Sequence, residues 1–436
     1  MAEEASALSQ FLISHPSTKY FRLHFVALSG ILRTRILTTQ YFSSLVSNGQ
    51  NVKIGGKAML HSVTAKTSSI VPTLGLVELR PDWRSLRLCG YAPGHASVMC
   101  CVYDRYVNDR DDPFHLCPRQ KLSRFLADCE TSHGRKFLVG FEIEFVLLDS
   151  SGDPLQTNDN VNSWCTTSGL RGKTLKLMED TIEALQASGI YVLHLHSVEP
   201  NQLQIATKHL NPIDAIDLLM YTHECIKHKA AEYGLRATMA PKALKEYLCT
   251  GAHAHVSLHP PVGQDHFLAG ILGDLQSLCA FGLASYDSYS RITGISNAAG
   301  TWVTWGTENR YVPIRGIEPA HWELRYLDAT ANIYLALLAT MTAGMHGLEK
   351  NITLKHPDCQ LNPFKLGEDE RTELGIVKQL PTSLKESTKM LEESTTFDAA
   401  LGNSLKKHYV AVKKLDESEM STWSEDQRRI WFTKLF

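Results

Sequence analysis

The run GFEIEFVLL, residues 140–148, places two acids inside an otherwise apolar segment. Its short, β-branched and aromatic composition, with a two-residue alternation, predicts a β-strand. Ile143 and Phe145 then point to one face and Glu142 and Glu144 to the other. Two like charges on one face cost electrostatic energy unless that face is solvated or a cation lies between them. Both explanations remain open for this segment taken alone.

Two further strand-like segments carry pairs of polar side chains with the same spacing. TGAHAHVSLH contains His253 and His255, and HWELRYLD contains Glu323 and Arg325. Each pair alone is weak evidence, because such pairs are common on solvated strand faces. Carboxylate oxygens and an imidazole are suitable ligands for Mg²⁺ or Mn²⁺. The three segments together predict a metal site formed by Glu142, His253 and Glu323.

Arginines near glycines and turns add a second polar feature. Arg291 lies in SYSRITG, and Arg310 and Arg315 lie in WGTENRYVPIR. Guanidinium groups bind carboxylates and phosphates bidentately, although surface arginines in weak ion pairs are the plainer alternative for each one. A metal with several arginines is the equipment of phosphoryl transfer. The sequence has no GxxxxGK[ST] motif, so an ATP site here is not a P-loop.

The rest of the chain predicts an organisation in two parts. Short apolar runs with Gly, Pro and Asn between them indicate a β-rich domain over residues 1–112, and residues 113–436 alternate helical and strand patterns before a polar, helical C-terminal part. Pro118 is suited to open a helix, and Gly189 and Gly234 to end two others. The charge-free segment 329–347 contains Asn and Thr residues and is predicted to be a buried core helix.

Charge and targeting signals limit the partners that we expect. A formal net charge of −2 gives no electrostatic reason to expect nucleic acid or a membrane as partner. The sequence MAEEASALSQF lacks the basic and apolar regions of a signal peptide, so we expect a cytoplasmic protein. Its ten cysteines are then expected to be thiols, and their scatter suggests no zinc module.

The ordered motifs resemble glutamine synthetase through most of the chain: FVALSGILRTR, GFEIEF, HSVEPNQLQI, RATMAPKAL, GAHAHVSL, DSYSRI, ENRYVPIR, WELRYLDATANIYLALLATMTAGMHGLE and QLPTSLKES. The resemblance implies an α+β fold, with a small β-grasp N-terminal domain before a catalytic domain whose antiparallel strands form an open half-barrel surrounded by helices. It also implies a homo-oligomeric ring with active sites between subunits. The family's reaction forms γ-glutamyl phosphate from ATP and glutamate, and an amine then displaces phosphate.

The same resemblance implies roles for individual residues. Glu142, His253 and Glu323 match the ligands of the Mg²⁺ or Mn²⁺ ion that holds the ATP phosphates, and Glu144 matches a ligand of a second metal. The remaining matched positions belong to nucleotide and substrate contacts: His255, Ser257 and Arg315 for nucleotide, Arg310 for catalysis at the phosphates, and Arg291 and Arg325 for the substrate carboxylates.

Several positions depart from the family pattern. Ser197 and Gln204 stand where two glutamates complete the second metal site, while Gln202 is kept. Asn297 and Gly55 stand at positions that handle ammonium in the family. Leu248 and Cys249 stand in place of a glycine-rich loop, and His321 stands in place of an arginine near the metal. The loss of these groups points to a changed second substrate or a changed reaction.

Three hypotheses follow from this pattern. The first is an ATP-dependent ligase that joins a glutamate-type carboxylate to an amine other than ammonia. The second is a single-metal enzyme in which Glu142, His253 and Glu323 hold a Lewis acid for chemistry without ATP. The third is a non-catalytic scaffold that retains the ring assembly.

Overall fold

The computed structural model describes residues 2–68, 75–105, 112–155, 164–167, 169–199, 201–245, 249–292 and 299–436. Two of the departures named above, Leu248 and Asn297, lie outside these ranges. The described residues form two β-sheets, one in the N-terminal part and one in the larger part. The predicted boundary after residue 112 stays a prediction.

The N-terminal sheet has six strands, in the order β2-β1-β6-β4-β3 with β5 paired to β6. Strands β1 and β6 are parallel, and the other neighbouring pairs are antiparallel. The sequence predicted a mostly β unit, but two helices also lie here, and Thr38 caps the second by accepting from the Tyr41 N–H. In chain order the elements are α1 Ala2–Ser14, β1 Tyr20–Val26, β2 Leu32–Thr38, α2 Thr39–Ser47, β3 Val52–Gly55, β4 Leu76–Pro81, β5 Arg87–Leu88 and β6 His95–Asp104.

The larger sheet has eight strands, in the order β12-β13-β14-β11-β7-β9-β8, with β10 paired to β7. Its pairs are antiparallel except β12 with β13, which are parallel. Strand β7 is central because three strands pair with it, and it contains the GFEIEF motif. The strands are β7 Lys136–Leu148, β8 Val192–Ser197, β9 Gln202–Thr207, β10 Arg236–Thr238, β11 Ala252–His259, β12 Trp305–Thr307, β13 Ile314–Glu318 and β14 His321–Leu324.

Helices surround this sheet, and several of them begin or end where the sequence predicted. The first begins at Pro118, and α4 and α5 end two residues before Gly189 and Gly234, which both have positive φ. The helices are α3 Pro118–His133, α4 Gly172–Ala187, α5 Pro212–Glu232, α6 Gln264–Gly282, α7 Ile333–Glu349, α8 Glu368–Glu373, α9 Leu384–Glu393, α10 Asp398–Leu401, α11 Asn403–Met420 and α12 Glu425–Leu435.

The main core lies on the apolar face of the larger sheet. Helix α7, the predicted core helix, packs on α6, and Gly270 permits this approach because a Cβ there would lie 2.1 Å from the Ala343 carbonyl oxygen. The Phe267 ring of α6 stacks on Trp322 of β14, with ring centroids 5.4 Å apart. Within the described ranges, no helix combines the length and apolar character needed to cross a bilayer. Because the core covers the apolar face of the sheet, the polar face of β7 remains available for a site.

A buried ion-pair network joins the two parts of the chain. Arg119 of α3 donates to Asp217 of α5 at 2.7 Å and to Asp82 of the N-terminal part at 2.8 Å. The Tyr334 hydroxyl donates to the same Asp217 at 2.5 Å. Each buried charge is thus paired, which is the condition for tolerating it away from water.

The predicted thiols are also observed, because all ten cysteines are free.

Candidate active site

Strand register brings the predicted metal ligands together. His253 of β11 lies opposite Glu142 of β7, and His255 lies opposite Glu323 of β14. Since side chains alternate along a strand, the acids and imidazoles of three adjacent strands emerge on one face of the sheet. The apolar residues Ile143 and Phe145 of β7 are buried on the opposite face, as predicted.

One histidine lies at the centre of a carboxylate cluster. His253 Nδ1 is 3.1 Å from Glu323 Oε1, 3.5 Å from Glu142 Oε2 and 4.0 Å from Glu144 Oε1. One possible ligand atom from each of Glu142, His253 and Glu323 lies within 4.8 Å of the other two. His253 Nε2 is buried with no hydrogen-bond partner among the described residues. Carboxylate oxygens and an imidazole nitrogen at this spacing suit a hard divalent cation.

Electrostatics keep these carboxylates ionised. Burial opposes the ionisation of Glu142, but hydrogen bonds and positive charge from His253 and His255 outweigh it, so its pKa lies well below the ordinary value. Burial also opposes the ionisation of Glu323, yet Arg325 and His253 lower its pKa to about 2. Glu323 is 0% exposed, which excludes a solvated strand face as the reason for its charge.

The second half of the site is less charged. Glu144 Oε2 accepts from Gln202 Nε2 at 2.8 Å and from the Gly251 N–H at 2.7 Å. Gln204, one of the departures, lies directly opposite Glu144 in the register of β9 and β7. Ser197, the other, donates its hydroxyl to the Thr166 carbonyl oxygen at 2.9 Å. These side chains supply neutral oxygens, which hold Mg²⁺ less well than carboxylates do.

Glu199 adds a carboxylate close to this second half. It lies just beyond β8 and lines the same cleft as Glu144 and Gln204. Burial, together with the negative charge of Glu144, raises the pKa of Glu199 above its ordinary value. A carboxyl group with a raised pKa is a better proton acceptor near neutrality than an ordinary one.

The predicted arginines occupy three different environments. Arg325 Nη1 donates to Glu323, and Arg315 Nη1 donates to the other oxygen of Glu323 at 2.8 Å. Arg310 is exposed in the cleft with its guanidinium carbon 5.5 Å from the Trp164 ring centroid. Arg291 is 0% exposed and donates to backbone carbonyls, so the structure does not bring its side chain into the cleft.

The predicted nucleotide contacts lie at the edge of the metal cluster. His255 Nε2 is 3.4 Å from Glu142 Oε1, and His255 Nδ1 is 3.2 Å from Nε2 of His321, the residue that replaces an arginine. Ser257 lies opposite His321 in the register of β11 and β14 and is half-buried. Gly55 lies at the end of β3, where an added Cβ would meet nothing within 4 Å.

An open cleft of about 610 Å³ lies over this face of the sheet. Five predicted residues line it: Glu142, Glu144, His253, Arg310 and Arg325. Sequence reasoning missed Trp164, Glu308 and Tyr311, which also line it. Glu308 and Tyr311 flank Arg310 in a motif already identified, so that motif could have indicated them, whereas nothing in the sequence around Trp164 indicated a site.

Comparisons with known proteins agree with this architecture. A family profile described as the glutamine synthetase catalytic domain matches residues 115–431. Protein fluG of Emericella nidulans is 31% identical over 440 residues, which cover 98% of this chain and 50% of fluG, so the chain spans about half the length of that relative. A glutamine synthetase of Methanocaldococcus jannaschii is 27% identical over 387 residues, with 81% of this chain and 83% of the relative covered.

Solved structures share the fold at lower identity. A GmaS–ADP complex aligns with a TM-score of 0.84 and 19% identity, covering 97% of this chain and 98% of that one. The crystal structure of a novel glutamine synthase homolog aligns with a TM-score of 0.81 and 20% identity, covering 96% of this chain and 99% of that one. The predicted α+β fold, with its half-barrel sheet and surrounding helices, is confirmed.

Proposed function

The chain belongs to the glutamine synthetase family, and from this premise we propose that it is an ATP-dependent ligase joining a glutamate-type carboxylate to an amine other than ammonia. The observation that carries the proposal is the contrast inside one cleft. The cluster of Glu142, His253 and Glu323 is retained, whereas neutral Ser197 and Gln204 occupy the positions of the family's second carboxylate pair. The first group suits ATP phosphates, and the second lacks the charge of the family's second metal site, which lies nearer the amine.

The cluster has the composition that a Mg²⁺ or Mn²⁺ ion requires. Glu142, His253 and Glu323 would hold the ion, and the close approach of their ligand atoms, within 4.8 Å, supports this assignment. Bound there, the ion would neutralise charge on the phosphates of ATP. Glu144 would contribute to a second, weaker site.

The surrounding cations would bind the anionic parts of both substrates. We assign Arg310 and Arg315 to the phosphates and Arg325 to a carboxylate of the acid, because guanidinium groups form bidentate contacts with both groups. His255 and Ser257 are assigned to the nucleotide by resemblance. For Arg291, whose guanidinium donates to two carbonyls, a role in holding the backbone under the site fits its burial better than direct substrate contact.

The reaction proceeds in two balanced steps. A carboxylate oxygen of the acid attacks the γ-phosphorus of ATP, the bond to the β,γ-bridging oxygen breaks, and ADP leaves. The bound ammonium group loses one proton, the free amine nitrogen attacks the acyl carbon, phosphate departs with the bonding electrons, and the second proton on nitrogen goes to the departing phosphate. Glu199 is assigned as the proton acceptor because its raised pKa suits that task.

A coupled assay tests the proposal. Purified protein with ATP, Mg²⁺, glutamate and a pool of primary amines should release ADP only when both acid and amine are present. Glu142→Gln should abolish this release, while Glu318→Gln, at an exposed carboxylate of β13 outside the cleft, should leave it unchanged. ADP release that needs no amine would contradict the ligase, turnover of the acid or amine without ATP would favour the single-metal alternative, and the absence of any turnover would favour the scaffold.

We further propose that the chain forms a homo-oligomeric ring in the cytoplasm, as its resemblance to glutamine synthetase implies. The family builds each site between neighbours, so the cleft described above would be closed by the N-terminal domain of an adjacent subunit. Sedimentation at micromolar concentration should give a species several times the chain mass. A fully active monomer would overturn this part of the proposal.

A further inference from the structure

An exposed tryptophan stands at the wall of the cleft. Trp164 is 59% exposed, although large aromatic side chains are normally used to bury apolar area. It lines the cleft together with Glu199 and Tyr311. Apolar surface held open inside a concave, otherwise polar site is typical of ligand recognition.

Backbone contacts hold this tryptophan in place. The Cys165 N–H donates to the Ser197 carbonyl oxygen at 2.9 Å, and the Ser197 hydroxyl donates back to the Thr166 carbonyl oxygen at 2.9 Å. The Trp164 ring also packs edge-on against His196, with centroids 5.6 Å apart. The two residues that follow the tryptophan are thus hydrogen-bonded to Ser197 at the end of strand β8.

The same serine is one of the departures from the family pattern. A Cβ added at Gly169 would lie 3.4 Å from the Ser197 Cβ, so the segment packs closely over this position. Ser197 is also buried, so its short side chain is enclosed at this position. One substitution therefore removes a carboxylate from the second half of the site and anchors an aromatic wall in its place.

Of the carboxylates that line the cleft, three already have partners and one can pair with a cationic ligand. Glu142 is paired with two histidines, Glu144 accepts from Gln202 and Gly251, and Glu308 accepts from Arg315. Among the described residues, no hydrogen bond or ion pair reaches the Glu199 side chain. It is adjacent in sequence to the apolar Val198, which also lines the cleft. The site thus offers one negative charge beside an apolar wall.

Resting on the proposed function, we propose that the amine substrate is a primary monoamine with an apolar aromatic or alkyl body. Its ammonium end pairs with Glu199, and its body lies against Trp164, Val198 and Tyr311. The Arg310 guanidinium carbon lies 5.5 Å from the Trp164 ring centroid, so a positive charge already stands beside this wall and would repel a second one. A diamine would leave its second charge against this apolar wall, and ammonium would leave the wall uncovered.

A panel of amines tests this substrate class. Benzylamine, n-butylamine, putrescine and ammonium chloride are compared as the amine in the ATP- and glutamate-dependent assay. Benzylamine and n-butylamine should show the lowest KM. Trp164→Ala should raise the KM for benzylamine about tenfold, as expected for the loss of an aromatic contact, with little change for ammonium. Leu193→Ala, at a 55% exposed position of β8 outside the cleft, should change neither value.

Two further variants separate the two contacts. Trp164→Phe should restore most of the benzylamine affinity, and Ser197→Ala should weaken it by releasing the Thr166 carbonyl. Glu199→Gln should raise the KM for every amine. A preference for putrescine or ammonium, or an equal KM change for all four amines in Trp164→Ala, would overturn the proposal.

A direct binding measurement keeps this inference distinct from the ligase proposal. Isothermal titration of benzylamine into the wild-type chain and into Trp164→Ala requires no turnover. If no amine yields ADP but benzylamine binds only to the wild type, the proposed reaction fails and the amine site stands. If ADP forms with other amines while benzylamine does not bind, the reaction stands and this site is wrong.

Discussion

The two halves of the cleft differ in how they treat a carboxylate. Around His253, the acids Glu142 and Glu323 are surrounded by cations that lower their pKa values. Near β8, Glu199 has only Glu144 and burial acting on it, and both raise its pKa. A single sheet face therefore has one end where carboxylates are held ionised among cations and another where the pKa of a carboxyl group is raised.

This difference separates what the family shares from what is specific to this chain. In the proposed reaction the charged cluster handles the ATP phosphates, and that cluster lies on three adjacent strands whose register fixes it. In the proposed reaction the amine is handled by side chains near the end of β8 and in residues 164–167, outside the three strands that carry the cluster. We therefore expect substitutions in the metal cluster to impair function and substitutions near β8 to be tolerated.

The largest expected effect is a difference in metal affinity between variants at the two ends of the cleft. Glu323→Ala and His253→Ala each remove a ligand from the three-ligand cluster, so both should lose more than the roughly 10–100-fold in affinity that is typical of outer contacts to a metal site. Glu144→Ala should lose much less, since its neighbours Gln202 and Gln204 are neutral. Elemental analysis after dialysis against Mn²⁺ measures the difference. Equal loss in all three variants would remove the distinction between the two ends.

The second effect concerns ammonia as substrate. Ammonium must lose a proton before attack, and the resemblance implies that Gly55 and Asn297 stand where the family has acidic groups for that purpose. We expect kcat/KM for ammonia to be at least about a hundredfold below that for the preferred amine. Steady-state glutamine formation is the measurement. Turnover of ammonia on the order of 1 to 10 per second or faster would mean that Glu199 serves ammonium as well as a larger amine, and the expected preference would be wrong.

The metal end could be predicted from sequence, and the amine end could not. Alternation along strands placed Glu142, His253 and Glu323 on one face because strand periodicity is a local property. The tryptophan wall depends on contacts across the fold, such as the bond between Ser197 and Thr166, which no periodic pattern encodes. The burial of Arg291 has the same origin, since its partners lie more than thirty residues away in sequence.

Restoring one acid should partly restore the lost charge. Gln204→Glu places a carboxylate opposite Glu144 on the neighbouring strand, and the pair would repel unless a cation bound between them. We expect a second Mn²⁺ to bind about tenfold more tightly than in the wild type, because affinity follows the number of charged ligands. Titration followed by electron paramagnetic resonance can count bound Mn²⁺. Gln202→Asn, which adds no charge, is the matched control.

The smallest effect is a pair of stability changes with opposite signs in metal-free protein. Glu142 has a lowered pKa when folded, so its ionised form stabilises the fold above the ordinary glutamate pKa, and this contribution is lost as pH falls through the lowered value. Glu142→Gln should therefore lower the free energy of unfolding at pH 7 by roughly 1–3 kcal/mol, and less at acidic pH.

Glu199 has a raised pKa when folded, so its ionised form opposes folding at neutral pH, and this cost disappears as pH falls through the raised value toward about 4.3, where an ordinary glutamate titrates. Glu199→Gln should therefore increase the free energy of unfolding at pH 7 by less than about 1 kcal/mol, because the group is partly solvated. The gain should vanish near pH 4. Urea unfolding in the presence of chelator at both pH values measures the two variants side by side, and changes of the same sign at pH 7 would show that the ends of the cleft are electrostatically alike.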